Sequence, residues 1–179
     1  ALIMAGDRLL QPAAGAPEWY YYGLAMALRQ RRDDATARAF LVNCPQTAGL
    51  RLLAAEITWA QGAPDEARAA MAQLAAEPGG AGHRAAWLLA RDAYDRGAWA
   101  EARSWVEGRK DLLDTVGGQE ILARAWAGEG DLVQATRIFE MLGPQSLEAG
   151  LLLARRAFDA DNFTQARELI EALLDQFPE

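Results

Sequence analysis

His83 is the only histidine of this 179-residue chain and Cys44 its only cysteine. The side chains best suited to nucleophilic or metal chemistry therefore occur once each. A zinc site needs three or four clustered ligands, and a thiol nucleophile needs a base beside it. His83 follows PGGAG at the start of a helical stretch and reads as a solvated or capping residue, while Cys44, next to Pro45, reads as a small, part-buried thiol. EPGGAG at 77–82 lacks the Lys-Ser/Thr end of a phosphate-cradling loop and the strand that precedes one, so it reads as a linker. Asp33 and Asp34 lie side by side where a helix begins, and capping explains them. Asn162-Phe163-Thr164 has the spacing of a glycosylation acceptor, a triplet common by chance, and Asn162 already has a turn to form. No catalytic constellation, cofactor site or metal site is expected.

The bulk properties narrow the class further. Eighteen basic residues against twenty-five acidic ones give a formal charge of −7, which opposes attraction to phosphate backbones and argues against a nucleic-acid partner. A single cysteine excludes an intrachain disulfide and leaves the redox compartment open. No apolar run reaches the roughly 20 residues that would cross a bilayer, so no membrane insertion is expected. The opening ALIMAGDRLLQP does not read as a signal peptide.

Whatever these residues do, a repeat positions them. GAPDEARAAM at 62–71 returns as GAWAEARSWV at 97–106, GDLVQATRIF at 130–139 and DNFTQARELI at 161–170. Each has Gly or Asp first, Ala sixth and a bulky apolar residue tenth. Anchoring on Ala35, Ala67, Ala102, Ala135 and Ala166 gives spacings of 32, 35, 33 and 31. Twelve residues before each anchor stands another small residue: Gly23, Ala55, Ala90, Ala123 and Ala154. Gly or Asp punctuates the interval between them, so each unit reads as helix, tight turn, helix. The small residues mark where the two antiparallel helices approach too closely for a bulky side chain. Pro45, Pro78, Pro144 and Pro178 close several of the units.

WYYYGLAM at 19–26 and DNFTQARELIEALLDQFP at 161–178 carry the strongest likeness to a known pattern. With five units in one internal phase, the chain resembles the tetratricopeptide repeats, whose period is about 34 residues. The resemblance spans about residues 16–178 and implies an all-α fold: a right-handed α-solenoid of antiparallel helix pairs. Repeats are expected at 16–46, 47–80, 83–115, 116–145 and 147–178, in one continuous solenoid. Residues 1–12 are expected to form the second helix of a truncated repeat, which makes the chain a segment of a longer array. The family sets an aromatic four residues before the first small residue. Here Trp19 alone satisfies that, against Arg51, Ala86, Gln119 and Gly150.

The family's groove-facing positions fall three before, one after and four after the first small residue. Transferred to this chain, they form three columns: Tyr20, Leu52, Trp87, Glu120 and Leu151; Leu24, Glu56, Arg91, Arg124 and Arg155; Ala27, Trp59, Tyr94, Ala127 and Phe158. The resemblance thus implies a partner-binding surface of Tyr20, Trp59, Trp87, Arg91, Tyr94, Arg124, Arg155 and Phe158. Three successive arginines beside aromatic rings suit an acidic peptide or an anionic polymer. The competing reading is that Asp92, Asp95, Glu120 or Asp159 pairs with those arginines and that the aromatics belong to the core.

The expected function is a non-catalytic scaffold that binds a protein or peptide. By likeness to long bacterial arrays, it would serve envelope assembly or exopolysaccharide export, which favours the periplasm over the cytoplasm. The alternatives are a regulatory domain of a larger enzyme or transcription regulator, and direct binding of an anionic polysaccharide. Truncated solenoid ends also imply possible end-to-end self-association.

Overall fold

The computed structural model of the protein describes residues 15–178; the segment 1–12 expected as a helix lies outside the described residues. The described chain contains eleven α-helices and no strand. In order they are α1 (Glu18–Gln30), α2 (Asp34–Val42), α3 (Ala48–Ala60), α4 (Pro64–Ala75), α5 (Gly80–Asp95), α6 (Trp99–Glu107), the one-turn α7 (Lys110–Leu113), α8 (Val116–Gly128), α9 (Leu132–Leu142), α10 (Leu147–Asp159) and α11 (Phe163–Gln176). The chain divides into two compact units, one ending at residue 85 and the other starting at residue 86. Within the first, α1 packs on α2 and α3 on α4; within the second, α8 packs on α9 and α10 on α11. Successive pairs are joined by contacts of α2 with α3, α6 with α8 and α9 with α10.

The turn inside each pair has one geometry. Arg32, Gly62, Gly97, Gly130 and Asp161 all adopt positive φ, between 59° and 90°. Behind each, the next backbone N–H reaches the carbonyl five residues back: Asp33 to Leu28, Ala63 to Thr58, Ala98 to Ala93, Asp131 to Trp126 and Asn162 to Ala157. These bonds satisfy orphan carbonyls at the end of the first helix while the chain reverses. Asp33, Asp131 and Asn162 then cap the second helix, each accepting from the N–H three residues on, whereas Ala63 and Ala98 offer no side-chain cap.

This geometry corrects the phase expected for the first pair. The left-handed residue stands five positions before Ala67, Ala102, Ala135 and Ala166, and by the same rule Arg32 points to Ala37. Ala37 and Ala25, twelve residues earlier, are fully buried, whereas Ala35 and Gly23 are exposed. The repeat therefore begins two residues later than DDATA suggests, because Arg32 fills the place that Gly holds in three of the other turns. Tyr21 now takes the aromatic position and is buried among Leu28, Phe40, Leu53 and Ile57. In the last pair that position is Gly150, and Leu173 occupies the space a side chain there would need.

Candidate functional site

The first-helix columns lie on α1 and α3 in the first unit and, in the second, on α8, α10 and the part of α5 from residue 86 onward; Arg84, earlier in α5, belongs to the first unit. With the corrected phase, Tyr22, Met26 and Arg29 replace Tyr20, Leu24 and Ala27 in α1. Tyr20 instead packs partly buried against the core cluster, edge-on to Trp19 and Tyr21. Tyr22 is exposed. Arg29 reaches across to α3, with Nη1 4.0 Å from Glu56 Oε2, and Arg84 approaches the other oxygen of Glu56 at 3.9 Å. Glu56 is thus flanked by two guanidinium groups. Trp59, half-buried at the end of α3, lies under Arg68 of α4 at 5.2 Å.

In the second unit, Trp87, Arg91, Tyr94 and Arg124 come together. Arg91 lies over the Trp87 ring at 5.4 Å, and Arg124 reaches from α8 to the Tyr94 ring at 5.5 Å. Each arginine also has an acid. Arg91 is 3.9 Å from Asp95 one turn on, Arg155 is 3.3 Å from Asp159, and Arg124 pairs with Glu148 at the start of α10. Pairing with Asp95 and Asp159 follows the competing reading of the sequence; Glu148 was not among the acids it named. The three pairs differ in strength. Those of Arg91 and Arg155 are exposed i,i+4 contacts, worth a few tenths of a kcal/mol. Arg124 and Glu148 are each about two-thirds covered and link successive helix pairs.

Glu120, in the same column as Trp87, accepts a hydrogen bond from the buried hydroxyl of Ser146, which also caps α10. Arg103 of α6 lies 4.1 Å from the centre of the Trp126 ring and 3.3 Å from Glu129 Oε2, at the C-terminal end of α8. Trp126 is half-buried under this guanidinium. Phe158, in α10, is exposed and edge-on to Phe163 at 5.3 Å.

The isolated candidates for reactivity sit elsewhere. Cys44 is buried and donates its thiol to the Phe40 carbonyl, and burial pushes its pKa up, away from the thiolate. Among the described residues no three of His, Cys, Asp and Glu form a metal-holding group, and no helix is long and apolar enough to cross a membrane.

No family model matches the chain, and no curated protein matches it in sequence. Solved structures do match. MamA 41-end from Desulfovibrio magneticus RS-1 is 13% identical with a TM-score of 0.63, covering 91% of this chain and 96% of that one. The TPR-like repeats of a Podosopora anserina kinesin light chain are 20% identical with a TM-score of 0.58, covering 87% and 92%. The fold is a tetratricopeptide-type helical repeat. MamA MSR-1 C2 shows the same TPR-type architecture, at 16% identity and a TM-score of 0.56.

Three features of the site escaped the sequence. Tyr22 and Arg29 were displaced by the misplaced first anchor, although the twelve-residue offset fits Ala25 and Ala37 equally well. Glu148 lies 24 positions from its arginine, beyond any local charge pattern. The Arg103–Trp126–Glu129 group joins two repeats and has no short-range signal.

Proposed function

We propose that this protein is a non-catalytic scaffold that binds a partner protein or peptide over the first-helix surface of its second unit. The observation that carries this reading is the cluster of Trp87, Arg91, Tyr94 and Arg124, with two stacked cation–aromatic pairs on neighbouring helices. Rigid rings next to guanidinium groups supply contact area and directional donors at low entropic cost. Asp95 and Glu148 offset the two charges, so an acidic partner segment must exchange with them. Exchange is easy at Arg91, which is exposed, and costly at Arg124. Arg91 is therefore the contact for a carboxylate, and Arg124 a strut that holds Tyr94.

Burial of the Cys44 thiol, which donates to the Phe40 carbonyl, is in keeping with a structural rather than a nucleophilic role for it. We place the scaffold in bacterial envelope or exopolysaccharide assembly on likeness to long bacterial repeat arrays alone.

The test is a pull-down from the source organism with wild-type protein and with the double variant Trp87→Ala/Arg91→Glu, whose circular dichroism should stay helical. Loss of one partner by tenfold or more supports the reading. An unchanged set of partners with a folded variant overturns it. Retention of an anionic polysaccharide without any protein partner would also overturn it.

A further inference from the structure

Two columns of the repeat are bulky and apolar in every helix pair but one. The residue before the small residue of the first helix is Leu24, Leu89, Leu122 or Leu153 in four pairs and Ala54 in the other. The residue three after the alanine of the second helix is Phe40, Trp105, Ile138 or Leu169, and Ala70 in that same pair. Both exceptions fall in α3 and α4, where Arg51 also stands at the family's aromatic position.

A cleft of about 260 Å³ opens where those two side chains are small. Ala54, Ala70 and Arg51 line it, and Leu41, Leu50 and Leu74, each at most 3% exposed, lie at its bottom. Its walls are α2 and α4, joined by the ion pair of Arg38 with Glu66, and its floor is α3. These walls are consecutive second helices, so the next repeat stacks beyond a wall and leaves the cleft uncovered. Arg51 donates from Nη2 to both carboxylate oxygens of Glu77, whereas its Nε is buried and has no hydrogen-bond acceptor among the described residues. The corresponding cleft beside α10 differs in both respects. Leu153 and Leu169 stand at the two positions, and its guanidinium, Arg156, pairs with Glu140 at an exposed rim.

We propose that the α3 cleft binds a small carboxylic acid as its anion, with a compact apolar body over Ala54 and Ala70 and the carboxylate on Arg51 Nε. Apolar walls without neighbours forfeit dispersion contacts, which a ring or branched chain restores. A buried N–H without an acceptor costs free energy, and a carboxylate is a strong, charge-assisted acceptor for a guanidinium. Arg38 offsets Glu66, the acid that lines the cleft, so that carboxylate does not repel the ligand unopposed. Sites for drug-sized ligands span roughly 300–1,000 Å³. The smaller α3 cleft therefore suits a one-ring acid. This site lies in the first unit, apart from the Trp87–Arg124 cluster of the second, and either assignment can fail alone.

The test is isothermal titration calorimetry of the whole protein with phenylacetate and with phenylacetamide, its uncharged counterpart. Saturable binding of phenylacetate is expected, at least tenfold tighter than that of the amide. Arg51→Gln should weaken phenylacetate at least tenfold and change phenylacetamide less than about twofold, a split that a merely structural role for Arg51 would not produce. Ala54→Leu and Ala70→Leu, which restore the side chain of the other pairs, should each abolish binding of both. Arg156→Gln, beside the corresponding cleft of α10, should change nothing. Circular dichroism verifies that each variant is folded, and Arg51→Gln/Glu77→Gln, which leaves no carboxylate without its guanidinium, replaces Arg51→Gln if that variant unfolds. No saturable binding of phenylacetate overturns the proposal. So does equal affinity for the amide, equal loss of both ligands in Arg51→Gln, or retained binding in folded Ala54→Leu and Ala70→Leu.

Discussion

Val106 in α6 has no exposed surface, whereas its counterpart Ile170 in α11 keeps 37% of its own. Nothing in either helix accounts for that difference. Both follow the same turn geometry, and both set an Ala four residues earlier against the partner helix. α6 is packed by α8, which covers Trp99 and Arg103, and by the one-turn α7; α11 has no described counterpart of either. A helix pair of this kind leaves one apolar face for a neighbour to cover, as expected of repeats that contact only adjacent units. The same side chains are core in one place and surface in the other.

Substitutions can break this comparison most strongly at the covered face. Gly128→Leu should destabilise the protein by about 3 kcal/mol, since the Trp99 indole already occupies the space a side chain would take. Ala160→Leu, at a solvent-exposed position at the end of α10, should change stability by less than about 0.5 kcal/mol. Val106→Ala should cost about 2 kcal/mol and Ile170→Ala less than about 1 kcal/mol, because only the first empties a closed site. Urea unfolding measures all four, and equal effects at Val106 and Ile170 would show that the two faces are covered alike.

The turns extend the contrast to a smaller scale. Arg32 and Asp161 hold positive φ without being glycine, and each is followed by a capping side chain; Gly62 and Gly97 are followed by alanine and no cap. Arg32→Gly should therefore stabilise by about 0.5–1 kcal/mol, the relieved left-handed strain slightly exceeding the entropy glycine adds to the unfolded chain. The smallest effect is in pH. Hydrogen bonds from Thr36 hold the Asp33 carboxylate below its ordinary pKa. A lowered folded-state value contributes stability above the ordinary carboxylate pKa and loses it as pH falls through the folded value. Acid titration of wild type should thus show a small loss of helix stability that Asp33→Asn removes.

The repeat period, the twelve-residue offset and the helix–turn–helix units were legible because each rests on local chemistry: a small residue at a crossing, a left-handed turn, a cap. The first pair was read two residues early because Arg32 hides a turn that Gly announces elsewhere. At the candidate site, the pairing of Arg91 with Asp95 and of Arg155 with Asp159 was legible as helical i,i+4 spacing. Arg124–Glu148 and Arg103–Glu129 were not, since each depends on how one repeat lies against the next.

Amide hydrogen exchange of α6 and α11 in the protein alone tests the central contrast most directly. Closure of one face and exposure of the other predict that amides of Phe163–Gln176 exchange at least tenfold faster than those of Trp99–Glu107. Equal protection in the two helices would contradict the account, because it would mean that the α11 face is already covered.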